Sequence, residues 1–178
     1  MRIKVGFIFG GESVEHEVSI ISAIQAMNKI DEEKYEVVPI YITKDREWYT
    51  GELLKDIEVY QDLKLLKKYA KNVVLYYKNG SYVLQTKGLF KRIVNTIDIA
   101  FPVVHGTNVE DGVLQGYLQS LGIPFVGSNV YASVVGQDKV YMKNIWEKMA
   151  ADLVKLSGKT QKADTQAQQD LSKAEAKK

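Results

Sequence analysis

The sequence predicts an α/β protein: a Rossmann-like, open, mostly parallel sheet with helices on both faces and a β-hairpin inserted into it. Short apolar runs at residues 3–9, 35–42 and 97–104 have few polar interruptions, as in strands covered on both sides. Between them, apolar residues recur at three- and four-residue spacing, the period of a helix with one buried face. Runs and helical segments alternate along the chain, the order that builds a parallel sheet.

The elements follow in order. The run 3–9 ends at Gly10-Gly11, after which Ser13 can cap a helix. Glu15 and Glu17 lie where the helix dipole favours negative charge, and Val14, Val18 and Ile21 beside Ile20, Ile24 and Met27 give a broad apolar stripe. A second strand is expected at 35–42. After the less regular 48–51, a helix is expected over 56–70, with Ile57, Tyr60, Leu63 and Leu66 on one face. Residues 73–77 and 81–85 flank Asn79-Gly80, a strong hairpin signal that outweighs the glycosylation pattern Asn79-Gly80-Ser81. A buried strand at 97–104 precedes a helix carrying Leu114, Tyr117, Leu118 and Leu121. A short strand at 122–127 precedes a last helix with Met142, Ile145, Trp146 and Met149.

Composition changes near residue 150. All aromatic residues and all three Pro come earlier, and beyond Ser157 only Leu171 is a large aliphatic. Two regions are therefore expected: a domain over 1–150 and a polar tail over 151–178, disordered or partly helical, because so few apolar groups cannot offset the entropy of ordering.

The 178 residues suffice for one packed α/β domain and not for three. With 24 basic and 22 acidic residues the net charge is +2, which gives no sequence-wide field for nucleic acid or an anionic membrane. The absence of Cys, with only His16 and His105 as imidazoles, argues against disulfides and a structural zinc site. No run approaches the ~20 apolar residues of a membrane span, and the apolar start meets glycine too early for a secretory leader. A soluble, cytoplasmic protein opening directly on a strand is expected.

In open α/β sheets ligands bind at the carboxyl ends of strands. The first such place is the Gly10-Gly11 turn, where glycine admits close approach to the backbone and Glu15 could hold a substrate ammonium. Serving only the turn and the helix dipole is an equal reading of the same residues. The second is the loop His105-Gly106 to Gly112, with His105 at a strand end and Glu110 and Asp111 opening a helix; a plain capped loop is its bland alternative. Lys139, opening the last helix, could meet a phosphate or simply be solvated. No metal-ligand set is visible. A phospho-receiver domain shares the alternation, but its acceptor Asp is replaced by His105 here.

Taken together and in order, several motifs resemble the N-terminal domain of D-alanine-D-alanine ligases, within the ATP-grasp superfamily. They are G-G-x-S-x-E-x-E-V-S (10–19), F-P-V-x-H-G-x-x-x-E-D-G (101–112), L-Q-G (114–116), G-I-P-F-V-G-S (122–128) and D-K (138–139). The resemblance runs from about residue 3 to about 146. The wording around His105 and Asp138 is also similar to the branch that makes D-alanyl-D-serine.

The resemblance implies ATP- and Mg²⁺-dependent ligation of D-alanine to a second amino acid, supplying a dipeptide for peptidoglycan. It implies that Glu15 is the catalytic acid orienting the first D-alanine through its ammonium. Gly10, Gly11, Val18 and His105 would be substrate-binding, with Val18 lining the methyl pocket, and Lys139 would reach the ATP phosphates. Homodimer contacts are implied too. Val109 stands where the family has Gly, so a positive φ there would strain a β-branched residue. The central ATP-grasp and C-terminal domains of the family find no counterpart, so the expectation is a ligase portion with little or no activity alone. A non-catalytic binding or dimerisation module is the alternative.

Overall fold

The computed structural model describes residues 2–175. It divides into two units between Gln137 and Asp138, each described by itself.

In the first unit, alternation along one strand creates two cores. Strand β1 (Ile3–Gly10) pairs in parallel with β2 (Tyr35–Ile42) on one edge and with β7 (Ile99–Pro102) on the other. Its Val5, Phe7 and Phe9 point to the face covered by helix α1 (His16–Met27), through Ile20, Ala23, Ile24 and Met27. Leu54, in a 3-10 turn, and Leu66 of helix α2 (Leu63–Tyr69) close the same core. Ile8 points the other way, to Val38, Ile40 and Ile42, under Leu114 and Leu118 of helix α3 (Val113–Ser120). The run in β1 is continuously apolar because both faces are covered.

The remaining strands are β3 (Trp48–Thr50), β4 (Lys71–Lys78), β5 (Ser81–Thr86) and β6 (Ile93–Ile97), and the sheet order is β6-β5-β4-β3-β2-β1-β7. The α/β class, the open sheet and the helices on both faces are as expected. The pairing is mixed rather than mostly parallel: only the pairs of β1 are parallel, and β2 through β6 pair antiparallel in succession. The connections 43–47, 79–80 and 87–92 are too short for a parallel crossover, which takes a dozen or more residues. The hairpin therefore extends the sheet. Asn79 (φ 49°) and Gly80 (φ 83°) both adopt the left-handed conformation of the turn that suits strand twist.

Several boundaries differ from the sequence expectation. The helix over 56–70 is a 3-10 turn (Ile57–Gln61) followed by α2, because the Asp62 side chain accepts from the Lys64 and Leu65 amides and restarts the helix (both 3.0 Å). The strand over 97–104 is instead the end of β6 and all of β7, divided at Asp98. That residue's carboxylate accepts from the Lys4 amide (2.7 Å) and its own amide donates to the Lys4 carbonyl (2.8 Å). Strands β6 and β7 stand at opposite ends of the sheet order yet are joined through Asp98, so the sheet curves around the core beneath α3. Residues 122–127 make one bridge, Phe125 with Ala100, in place of a strand. On α1 the expected stripe is halved: Val14, Val18 and Ile21 are exposed, while His16 and Ser19 turn inward.

Helix α4 (Val130–Gln137) ends the first unit. In the second, helix α5 (Lys139–Glu175) starts under a cap of its own: the Asp138 carboxylate accepts from the Val140 and Tyr141 amides (3.0 and 2.9 Å). The helix continues through the polar region past residue 151. Trp146, Met149 and Leu153 are exposed on it. Among the described residues no helix is long and apolar enough to cross a membrane.

Two measurements test this packing. Leu75 of β4 is buried in the core beneath α3, and Leu75→Ala is expected to cost about 2–5 kcal/mol of unfolding free energy by denaturant titration. On the other face, Tyr41 packs against Phe9, His16 and Tyr60, and burial, reinforced by the Glu17 and Asp45 charges, pushes its phenol up to about 12. A raised folded-state value contributes stability below the ordinary tyrosine value of ~10 that is lost as pH rises. Thermal melts should hold steady below pH ~10 and fall toward pH ~12, less steeply in Tyr41→Phe.

Candidate functional site

The carboxyl ends of β1 and β7 lie side by side, and three hydroxyl or imidazole side chains of α1 and its approach lock them. Gly10 (φ 89°) brings its backbone so close to the Ile42 carbonyl that a Cβ would overlap it. Its amide donates to Ser19 Oγ (2.8 Å), and the Ser19 hydroxyl donates to the Val103 carbonyl (2.6 Å), bridging the two strand ends. The Gly11 amide donates to the Ile42 carbonyl (2.7 Å). Both glycine amides are therefore engaged within the protein, and what these residues contribute is close approach of the backbone.

His16, to which the sequence assigns no role beyond being one of two imidazoles too few for a zinc site, is buried beneath this turn. Its Nδ1 lies 2.6 Å from the Gly11 carbonyl and its Nε2 2.9 Å from the Tyr41 hydroxyl. A carbonyl only accepts, so Nδ1 carries the proton, and in the neutral ring Nε2 accepts from Tyr41. Ser13 is not the helix cap. It donates to the His105 carbonyl (2.7 Å) and accepts from the Glu15 amide (3.1 Å), so it ties the β1 loop to the β7 loop. Glu15 occupies the cap position without a capping bond from its side chain.

The Glu15 carboxylate is exposed and has no hydrogen-bond or ion-pair partner among the described residues. It lies over Gly106, whose hydrogen faces Ser13 Oγ and Glu15 Oε2 where a Cβ would not fit. His105 is half-buried with Nε2 3.2 Å from Ser22 Oγ of α1. The Glu110 carboxylate accepts from the Gly106 amide (2.6 Å), and Asp111 accepts from the Asn108 amide (2.7 Å), so the acids opening α3 hold the loop. Asn108 carries the positive φ (65°) and Val109 does not; Val109 is buried against Gly11, so the expected strain is absent. Asn tolerates that conformation far better than a β-branched residue.

The structure thus brings Gly10, Gly11, Glu15 and His105 to one rim, with Val18 exposed one turn along α1. Lys139, exposed, opens α5 in the other unit. Ser19 and His16 escape a reading of the sequence because their role depends on contacts with Val103 and Tyr41, far away along the chain; the only local hint is a polar residue on an otherwise apolar helix face. A cavity of about 490 Å³ opens behind Gly11 among Ile42, Trp48, Leu75 and Tyr117, and neither Glu15 nor His105 lines it. No group of three or more His, Asp or Glu among the described residues is placed to hold a metal.

Chemically, the rim offers an uncompensated carboxylate on loops where the Gly10, Gly11 and Gly106 amides are already paired. That suits an ammonium-bearing ligand. Because Ser19 satisfies one buried donor and one buried acceptor, Ser19→Ala should cost about 1–3 kcal/mol in denaturant unfolding, with correspondingly faster amide exchange at Gly10.

A family model described as "D-ala D-ala ligase N-terminus" matches residues 4–128. A D-alanine--D-alanine ligase of Thermosipho melanesiensis is 45% identical over 141 residues, which are 79% of this chain and 38% of that protein. Among solved structures, the D-alanine-D-alanine ligase of Coxiella burnetii superposes with a TM-score of 0.72 at 31% identity, covering 83% of this chain and 41% of that one. The VanG D-Ala:D-Ser ligase of Enterococcus faecalis gives 0.63 at 34%, covering 79% and 40%. The chain spans about two-fifths of the length of these relatives, and it belongs to the family defined by the D-alanine-D-alanine ligase N-terminus.

Proposed function

We propose that the rim formed by the Gly10-Gly11 turn, Glu15, Val18 and His105 is one wall of the amino-acid site of an ATP-dependent ligase. That enzyme would join D-alanine to a second D-alanine or to another amino acid such as D-serine, for peptidoglycan synthesis. The observation that carries the reading is the Glu15 carboxylate, exposed and without a partner among the described residues, over Gly106, whose amide is already paired with Glu110. Such a carboxylate pairs with an ammonium without first breaking an internal bond, and a charge-assisted bond of this type orients the substrate. Val18 offers an apolar contact for a methyl group. His105, positioned by Ser22 and by Ser13 through its carbonyl, orients polar groups at the same rim.

The residues present do not fit a nucleotide with its Mg²⁺. The two glycine amides that could cradle phosphate are donated internally, and no acidic cluster for the metal occurs among the described residues. Lys139 supplies a single cation. Phosphoryl chemistry therefore falls to the parts of the relatives outside the match. Little turnover by these 178 residues alone is part of the proposal, as are a cytoplasmic setting and the absence of nucleic-acid and membrane partners. Self-association is proposed as well, supported by the exposed Trp146, Met149 and Leu153 of α5.

Isothermal titration of the 178-residue chain with D-alanine tests the wall. Saturable binding that is lost in Glu15→Ala is expected, with no phosphate release when Mg-ATP and D-alanine are supplied together. Binding that survives Glu15→Ala removes Glu15 from the role, and phosphate release by the chain overturns its dependence on further parts.

A further inference from the structure

The cavity behind Gly11, of about 490 Å³, falls within the ~300–1,000 Å³ usual for small-molecule sites, and the rim residues Glu15 and His105 do not line it. Its floor is apolar, made by Val73 and Leu75 of β4 and Leu114 of α3. Its walls are open to solvent. Val74, Val113 and Tyr117 are between 37% and 61% exposed, and Trp48 is half-buried, its ring edge-on to that of Tyr117 with centroids 5.6 Å apart. A flat apolar group entering here covers exposed apolar surface and meets two aromatic rings, without displacing any side chain from the core.

The charges around the cavity decide the other end of the ligand. Glu12, Arg46 and Asn108 are tied to one another: Arg46 engages the Glu12 carboxylate through Nε and Nη2, and the Asn108 side-chain amide donates to the Glu12 carbonyl (3.0 Å). Lys87 differs. Its backbone is anchored to β4 by an amide bond to the Asn72 carbonyl (3.0 Å), while its exposed ammonium has no hydrogen bond or ion pair among the described residues. Its charge reaches the Glu47 carboxylate through space without pairing. A cationic ligand would meet Lys87 and Arg46 with only Glu12, already paired, to offset them. A polyphosphate would bring several charges to one uncommitted cation. A monoanion with an apolar body matches both the charge and the walls. We propose that this cavity binds a small arylalkyl carboxylate, with its ring against Trp48 and Tyr117 and its carboxylate paired with Lys87. The inference is independent of the role assigned to Glu15.

The test titrates the ¹⁵N-labelled 178-residue chain at constant ionic strength with three probes that share one tail: 4-phenylbutyrate, 4-phenylbutan-1-ol and 4-phenylbutylammonium. Saturable shifts at the Trp48 indole N–H and the Lys87 and Val113 amides are expected, tightest for the carboxylate and weakest for the ammonium. Lys87→Met, which keeps an apolar stem and loses the charge, should weaken the carboxylate about two- to fivefold, the worth of an exposed ion pair. The same change should leave the alcohol unaffected, and Glu15→Ala should leave all three unaffected. In the unmodified chain, nuclear Overhauser contacts from the phenyl protons to the Trp48 ring and the Val113 methyls are expected, a readout that needs no variant to fold. Equal affinity for the three probes, contacts to Trp146 of α5 in place of Trp48, or loss of binding in Glu15→Ala would overturn the proposal. So would the absence of any saturable shift with 4-phenylbutyrate.

Discussion

Strand β1 buries both of its faces and has a parallel neighbour on both edges, so its carboxyl end is fixed from four directions. Phe7 and Phe9 are held by α1 and the turns that precede β4, and Ile8 by the curved sheet beneath α3. A strand constrained in this way cannot slide or tilt without opening two cores at once. Its end is therefore a rigid place from which to present a loop, and the Gly10-Gly11 turn inherits that rigidity.

The loops at the rim are held by polar contacts that cross between elements. Ser19 joins the ends of β1 and β7, Ser13 joins the two loops, and His16 links Gly11 to Tyr41 of β2. Each satisfies backbone or side-chain groups that would otherwise be unpaired in a poorly solvated place. Glu15 stands apart from this network with its carboxylate in solvent. A framework held in this way leaves one charge uncommitted, so pairing that charge requires little reorganisation.

Beneath α3, Gln115 commits its donor to the Val109 carbonyl while its oxygen is buried without a partner among the described residues. Glu110 adds to the same framework, its carboxylate holding the Gly106 amide.

The α/β class, β1, β2, the Asn79-Gly80 hairpin and the helices α1 and α3 were legible because local period and turn chemistry agree with the final packing. The ordering of strands was not. Nothing local in residues 71–97 distinguishes strands that extend a sheet antiparallel from an inserted hairpin, and the break at Asp98 depends on its bonds to Lys4, remote in sequence. At the candidate site, the residue types that make up the rim could be read along the chain, since glycines at a strand end followed by Glu15 and a distant His105-Gly106 step imply a polar rim. Folding in three dimensions added what no local pattern carries: the glycine amides are already taken, Ser13 binds a loop rather than capping a helix, Asn108 rather than Val109 turns the chain, and Gln115 has a buried oxygen without a donor. The physical reason is that hydrogen-bond satisfaction is a property of groups brought together from separate elements, and periodicity records only which side of its own element a residue faces.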